Sequence, residues 1–160
     1  MDVTLSPVAF ADKAALWAVF EPYQIAHADL TEPGRAPGSP RAYPWFDHYW
    51  IEPERIPLWA LDEQERRVGF ALVNRHSPSG LGCDRAVAEF CILPEHRRAG
   101  LGLAAARALF ARYEGVWELQ VHRANAPALA FWARATAAAG VREHDIFDRP
   151  EGLIHRFRRS

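Results

Sequence analysis

The apolar positions of this chain fall into two recurrent patterns, short runs with strand-like spacing and longer segments with helical spacing. Val3 to Val8 reads as a short strand. Ala11 to Leu30 follows as a helix, with Ala15, Leu16, Val19 and Phe20 spaced for one face and Pro22 expected to break or kink it. Thr31 to Pro44, rich in proline and glycine, predicts a long loop, a kind of segment often functional or mobile. The aromatic cluster Trp45 to Trp50 reads as a short helix whose rings belong either to the core or to a pocket wall.

Ile56 to Leu61 and Val68 to Val73 read as two strands around the polar turn Asp62 to Arg67. The turn cluster His76 to Gly82 leads into a central strand, Arg85 to Leu93. A helix over Leu101 to Tyr113, with Gly115 as its C-cap, precedes a strand over Val116 to Val121. Asn125 can cap a further helix that tolerates Pro127 in its first turn and ends at Gly140. Val141 to Phe147 and Leu153 to Phe157 close the chain as a strand pair. This order predicts an α/β (α+β) class with a mixed sheet and helices on both faces.

Composition narrows the function classes. The chain has 160 residues and suits one domain spanning residues 1–160. Its net charge of −1 implies no general attraction to nucleic acid or to an anionic membrane. The start carries no basic and apolar leader pattern, and no apolar run is long enough to span a bilayer, so a cytoplasmic protein is expected. Cys83 and Cys91 do not form a disulfide framework, and the histidines lack metal-ligand spacing, so no metal is expected.

The candidate chemistry concentrates between Val87 and Gly102. An apolar strand interrupted by Glu89 is stopped by Pro94, then come Arg97, Arg98, Ala99, Gly100, Leu101 and Gly102 at the start of a helix. Strand, basic turn, glycines and helix make a phosphate cradle: glycine lets the backbone approach a ligand, and the helix N-terminus offers free N–H groups and positive dipole. Arginines add charge-assisted donors. Gly100-x-Gly102-x-x-Ala105 also fits a dinucleotide fingerprint, but that motif expects the strand to enter the glycines directly and an acid at the end of the next strand. Pro94 to Ala99 intervene, and the next strand runs past Glu118 to His122.

Arg97-Arg98-Ala99-Gly100-Leu101-Gly102 resembles the pyrophosphate loop of the GCN5-related N-acetyltransferases (GNAT), and Asn125-Ala-Pro-Ala-Leu-Ala-Phe-Trp resembles that superfamily's later Asn-x-x-Ala-x-x-Phe-Tyr segment. The two pieces, in this order, cover Val87 to Trp132. The chain is also similar to a bacterial subgroup of predicted acetyltransferases with Phe-Trp in the last motif. The resemblance implies a mostly antiparallel GNAT-type sheet, splayed at a cofactor slot, and acetyl transfer from acetyl-CoA to a primary amine of a small molecule or peptide. It further implies that Cys91, Ile92 and Leu93 lie along the pantetheine arm, with a backbone N–H near Ile92 polarising the acetyl carbonyl. Asn125 would bond the arm or only cap its helix. The region of Thr31 to Pro44 would help wall the substrate site, and a homodimer is possible.

Glu89 is the candidate base, since a carboxylate amid Val87, Ala88, Phe90 and Cys91 should be desolvated and its pKa raised; the alternative is a structural carboxylate. Trp132 stands where many relatives have a tyrosine that protonates the leaving thiolate, and an indole N–H is no useful acid. Tyr113, Cys91 and His122 are candidates for that role, or the thiolate leaves unassisted. Cys91 lacks the partners of a nucleophile and suits a small apolar core position. The competing functional class is a non-catalytic module that binds an acyl-CoA or a protein partner.

Overall fold

The computed structural model describes residues 2–97 and 99–160; Arg98, one of the expected cradle residues, lies outside them. Among the described residues seven strands are defined: β1 Thr4–Pro7, β2 Ile56–Leu61, β3 Arg67–Asn74, β4 Arg85–Ile92, β5 Gly115–His122, β6 Arg142–Arg149 and β7 Gly152–Arg159. Three α-helices accompany them: α1 Lys13–Thr31, α2 Leu101–Arg112 and α3 Ala126–Ala138. The strands form one sheet in the order β1-β2-β3-β4-β5-β7-β6. Its pairs are antiparallel except β4 with β5. The expected mixed, mostly antiparallel sheet is therefore present.

Helices cover both faces. On one, α2 and α3 bury Ala105, Leu109, Phe110 and Trp132 against Val73, Val87, Trp117 and Phe157. On the other, α1 buries Leu16 and Phe20 against Phe70, Leu72 and Cys91. The short 3-10 turn Asp47–Trp50 and the residues before it resolve the aromatic cluster mostly toward the core: Phe46 stacks on Phe20 at 5.4 Å and Tyr49 is buried, while Trp45 is exposed.

Two expectations are corrected. Pro22 does not break α1, which runs through it. The buried positions Leu16, Phe20, Gln24 and Ala28 continue at four-residue spacing across it, and Pro22 lies on the exposed side. An interior proline costs about 3 kcal/mol. Complete burial of Leu16 and Phe20 contributes roughly 1.5–3 kcal/mol each and offsets it. Gly115 is not the C-cap of α2. That helix ends at Arg112 with an extended Tyr113, and Gly115 is the first residue of β5 at φ 112°. A β-carbon there would lie 2.4 Å from Asp84 Oδ2, the oxygen that accepts from Val116 N at 2.7 Å.

The feature that positions the site is where the central strands part. β4 and β5 pair only over Arg85↔Trp117, Ala86↔Glu118 and Val87↔Leu119. Both strands then continue, β4 to Ile92 and β5 to His122, without pairing to each other. On its other side β4 stays paired with β3 up to Gly69↔Ile92, with a bulge where Leu72 and Val73 face Glu89 and Val87.

Candidate active site

The wedge left by the parting strands is a cleft of two lobes. One, of about 470 Å³, is lined by Glu89, Asn74, Gln120, His122 and Glu151. The other, of about 710 Å³, is lined by Cys91, Ile92, Arg97, Gly100, Gly102 and Arg134. Tyr23, His27, Phe90, Asn125, Ala128 and Trp132 line both, so the lobes meet between α1 and the start of α3. Among the described residues, the first lobe has two carboxylates and no lysine or arginine, whereas the second has two arginines and no carboxylate.

Glu89 owes its position to the bulge. Val87 packs with α2 and α3, and so do Phe90 and Ile92 further on, which strict alternation forbids. The extra residue at Ala88 absorbs the slip and turns Glu89 to the α1 face. There Oε1 accepts from Tyr23 Oη at 2.9 Å and Oε2 accepts from Tyr43 Oη at 3.2 Å. Burial raises the Glu89 pKa to about 7, against the smaller opposing pull of the two phenols and Arg41. Burial and the carboxylate in turn push both phenols upward.

Tyr43 reaches Glu89 because the long loop after α1 is tied back to that helix. Arg35 Nε donates to Asp29 Oδ1 at 2.8 Å, Gly38 N donates to Asp29 Oδ2 at 2.8 Å, and Arg41 Nε donates to Glu32 Oε2 at 2.7 Å. Gln24 Nε2 donates to the Arg41 carbonyl. The loop thus forms part of the wall behind Glu89.

On the cradle side, peptide directions alternate along β4. Leu93 N donates to Val68 O at 2.8 Å, so the Ile92 peptide groups face away from β3, toward the edge that β5 has left. The Ile92 carbonyl there accepts from Arg97 Nε at 2.8 Å. Gly100 is the N-cap of α2 at φ 74°, a left-handed conformation that suits glycine. Gly102 has a different reason to be small: a β-carbon would lie 2.9 Å from Phe131 Cε1 on α3. Asn125 caps α3, its Oδ1 accepting from Ala128 N at 3.2 Å.

The fold therefore gathers Cys91, Ile92, Arg97, Gly100, Gly102 and Asn125 around one lobe and Glu89 beside the other. Leu93 and Leu101 are buried in the two cores, and Ala99 lines a separate depression with Asp62 and Glu95. Cys91 is buried; its thiol, pushed up in pKa by burial, donates to the Ile92 carbonyl at 3.4 Å. Trp132 is buried in the core, 5.0 Å from Phe90. Tyr113 lies at the far end of α2 against Trp117 and lines neither lobe, whereas His122 lines the acidic one.

Glu118 is a buried carboxylate with a structural setting. It accepts from Ser77 Oγ at 2.9 Å, Ser79 N at 2.9 Å, Ser79 Oγ at 2.7 Å and from Arg156. Burial alone would raise its pKa, but these donors together hold it below the usual range.

Sequence reasoning missed Tyr23, His27 and Tyr43. The first two had a usable signal: Phe20, Tyr23 and His27 extend the α1 stripe at helical spacing, past a proline expected to break or kink the helix. Tyr43 had none, being brought by an irregular loop.

The family model described as the acetyltransferase (GNAT) family matches residues 19–136. Among curated proteins, none matches the sequence significantly. Solved structures share the fold. An acetyltransferase from Thermus thermophilus is 20% identical with a TM-score of 0.66, over 98% of this chain and 96% of that one. A histone acetyltransferase HPA2 and related acetyltransferase from Corynebacterium glutamicum is 16% identical with a TM-score of 0.68, over 100% and 98%. Spermidine N-acetyltransferase from Vibrio cholerae, in complex with CoA and spermine, is 13% identical with a TM-score of 0.60, over 98% and 94%.

Proposed function

The chain belongs to the acetyltransferase (GNAT) family, and from that premise we propose that it moves an acetyl group from acetyl-CoA directly to a primary amine, with Glu89 as the base. The observation that carries this reading is the position of Glu89, beside the junction of an acidic and a basic lobe along an unpaired strand edge.

The basic lobe suits the phosphorylated co-substrate. Arg97, Arg134 and the N-terminus of α2 offer positive charge, and the free edge of β4 offers backbone partners to the amides of a pantetheine arm. Backbone around Arg97 to Gly102 and the Asn125 turn would hold it. The Ile92 N–H is the proposed donor to the acetyl oxygen, where charge develops as the tetrahedral intermediate forms. The acidic lobe suits a cationic acceptor. His27, its pKa lowered by burial and then by His122, is neutral near pH 7 and does not repel an ammonium group. Glu89, with a pKa of about 7, is poised to take the amine proton at neutral pH. Small amines, amino acids and peptide N-termini all present the required group; the carboxylates Glu89 and Glu151 favour acceptors without a negative charge near the amine.

Direct transfer is favoured over an acyl-enzyme because the Cys91 thiol is buried and held protonated. The rival is a binding module with this fold and no turnover. Calorimetric titration with acetyl-CoA, CoA and NADH, followed by thiol release over an amine panel, separates the two. Binding of acetyl-CoA but not NADH, with thiol release for cationic amines, is expected. Binding without thiol release from any amine supports the module, and no acetyl-CoA binding by the folded protein rejects transfer from acetyl-CoA and leaves a module for another acyl chain or a protein partner.

A further inference from the structure

The proposed transfer leaves one proton unassigned. The amine nitrogen gives up a proton, and the coenzyme thiolate takes one. With an indole at Trp132, no hydroxyl stands at the position the sequence resemblance assigned to the acid. Tyr113 lies away from the cleft, Cys91 has its thiol engaged with the Ile92 carbonyl, and His122 lines only the acidic lobe, not the one proposed for the thioester.

We propose that Tyr23, on α1, protonates the leaving thiolate and is itself reprotonated by Glu89, so that the proton removed from the amine is returned to the sulfur through one carboxylate and one phenol. This rests on the acetyl-transfer reading above and adds a catalytic residue to it. Two observations carry it. Tyr23 Oη donates to Glu89 Oε1 at 2.9 Å, a distance suited to proton transfer. Tyr23 also lines both lobes, so one side chain borders the base and the place proposed for the thioester. Tyr43, the other phenol on Glu89, lines neither lobe and packs against Phe20 behind the carboxylate.

The step balances. The acceptor reacts as its free amine, its ammonium form having first lost a proton to solvent; the nitrogen attacks the acetyl carbon and the C–N bond forms. Glu89 takes the nitrogen's proton. As the C–S bond breaks, the sulfur keeps the electron pair and accepts the Tyr23 hydroxyl proton. The phenolate then recovers a proton from Glu89, leaving an ionised carboxylate and a neutral phenol for the next cycle. No external acid is needed. The order has an electrostatic basis: burial, the largest effect, disfavours the phenolate throughout, and ionised Glu89 adds a restraint that disappears once Glu89 is protonated. Tyr23 is thus a poor acid before the amine reacts and a better one afterwards.

The test compares acetyl-CoA with the acetyl selenoester of coenzyme A. The two donors present the same binding groups, but a selenolate is a far weaker base and leaves without an acid. Tyr23→Phe should lower kcat with acetyl-CoA by about 100-fold, the lower range for a general acid, and by no more than a few-fold with the selenoester. Tyr43→Phe, which alters Glu89 without touching the leaving group, should lower both by the same factor. Equal losses for Tyr23→Phe with both donors, or no loss with acetyl-CoA, would overturn the relay while leaving the transferase reading intact. No turnover by the wild type with any amine would remove that reading, and the relay with it. If Tyr23→Phe does not fold, 2,3-difluorotyrosine at position 23 keeps the hydroxyl and changes its acidity. Its rate should then shift with acetyl-CoA and not with the selenoester, and an identical response to both donors overturns the proposal.

Discussion

Tyr23 and Glu89, 66 residues apart in sequence, share a 2.9 Å hydrogen bond where the two lobes of the cleft meet. Glu89 is desolvated enough for its pKa to rise to about 7, yet both its oxygens are hydrogen-bonded and it borders the cleft. A carboxylate in that state costs the fold stability when ionised, and it is available as a base at neutral pH.

Glu89→Gln separates these two consequences. Its pKa is raised from the ordinary value near 4.5, so protonated Glu89 is favoured in the folded state. The associated stability is fully present below pH 4.5 and is lost as pH rises through about 7. The variant should therefore match the wild type at pH 4.5 and exceed it by up to about 3 kcal/mol above pH 8, read by denaturant unfolding. A variant less stable than the wild type at high pH would mean that the carboxylate is ionised without penalty.

The same substitution should leave acetyl-CoA affinity unchanged and lower kcat. Wild-type kcat should rise with pH through about 7, and the variant should lose that limb. An unaltered rate and profile would assign the base to another group.

Glu118→Gln should show the opposite pH signature. Its pKa is lowered, so its stability is present above the ordinary value near 4.5 and lost as pH falls through the depressed value. Replacing buried Glu118, which pairs with the half-buried Arg156, should cost about 1.5–3 kcal/mol at pH 7, a difference that shrinks in acid. Thermal unfolding at pH 7 and pH 3.5 measures it, and equal losses at both would contradict the assignment.

Gly100→Glu should abolish acetyl-CoA binding in calorimetry. The position is left-handed at φ 74°, which costs a non-glycine residue about 1–2 kcal/mol, and the new carboxylate faces the phosphates expected there. Retained affinity in a folded variant would remove this turn from the site.

Cys91→Ala should keep activity within a few-fold, because the thiol is buried and held protonated. Complete loss of turnover with the fold intact would revive a covalent intermediate.

Legible from the residues alone were the element order, the glycines at the start of the helix after β4 and the candidacy of Glu89. These depend on local signals: apolar periodicity, proline and glycine punctuation, and a carboxylate in an apolar run. That the helix runs unbroken past Pro22 was not legible locally, because the burial that overcomes the proline comes from β3 and the loop beyond α1. Nor was the reason for Gly102, whose neighbour Phe131 arrives from another helix. The face to which Glu89 points follows from strand pairing: a bulge at Ala88, set by the pairing of β4 with β3, reverses the alternation that the residues would otherwise suggest. The phenols on Glu89 come from α1 and from the loop tied back to it. Such partners are chosen by three-dimensional packing between distant segments, and no local pattern encodes that choice.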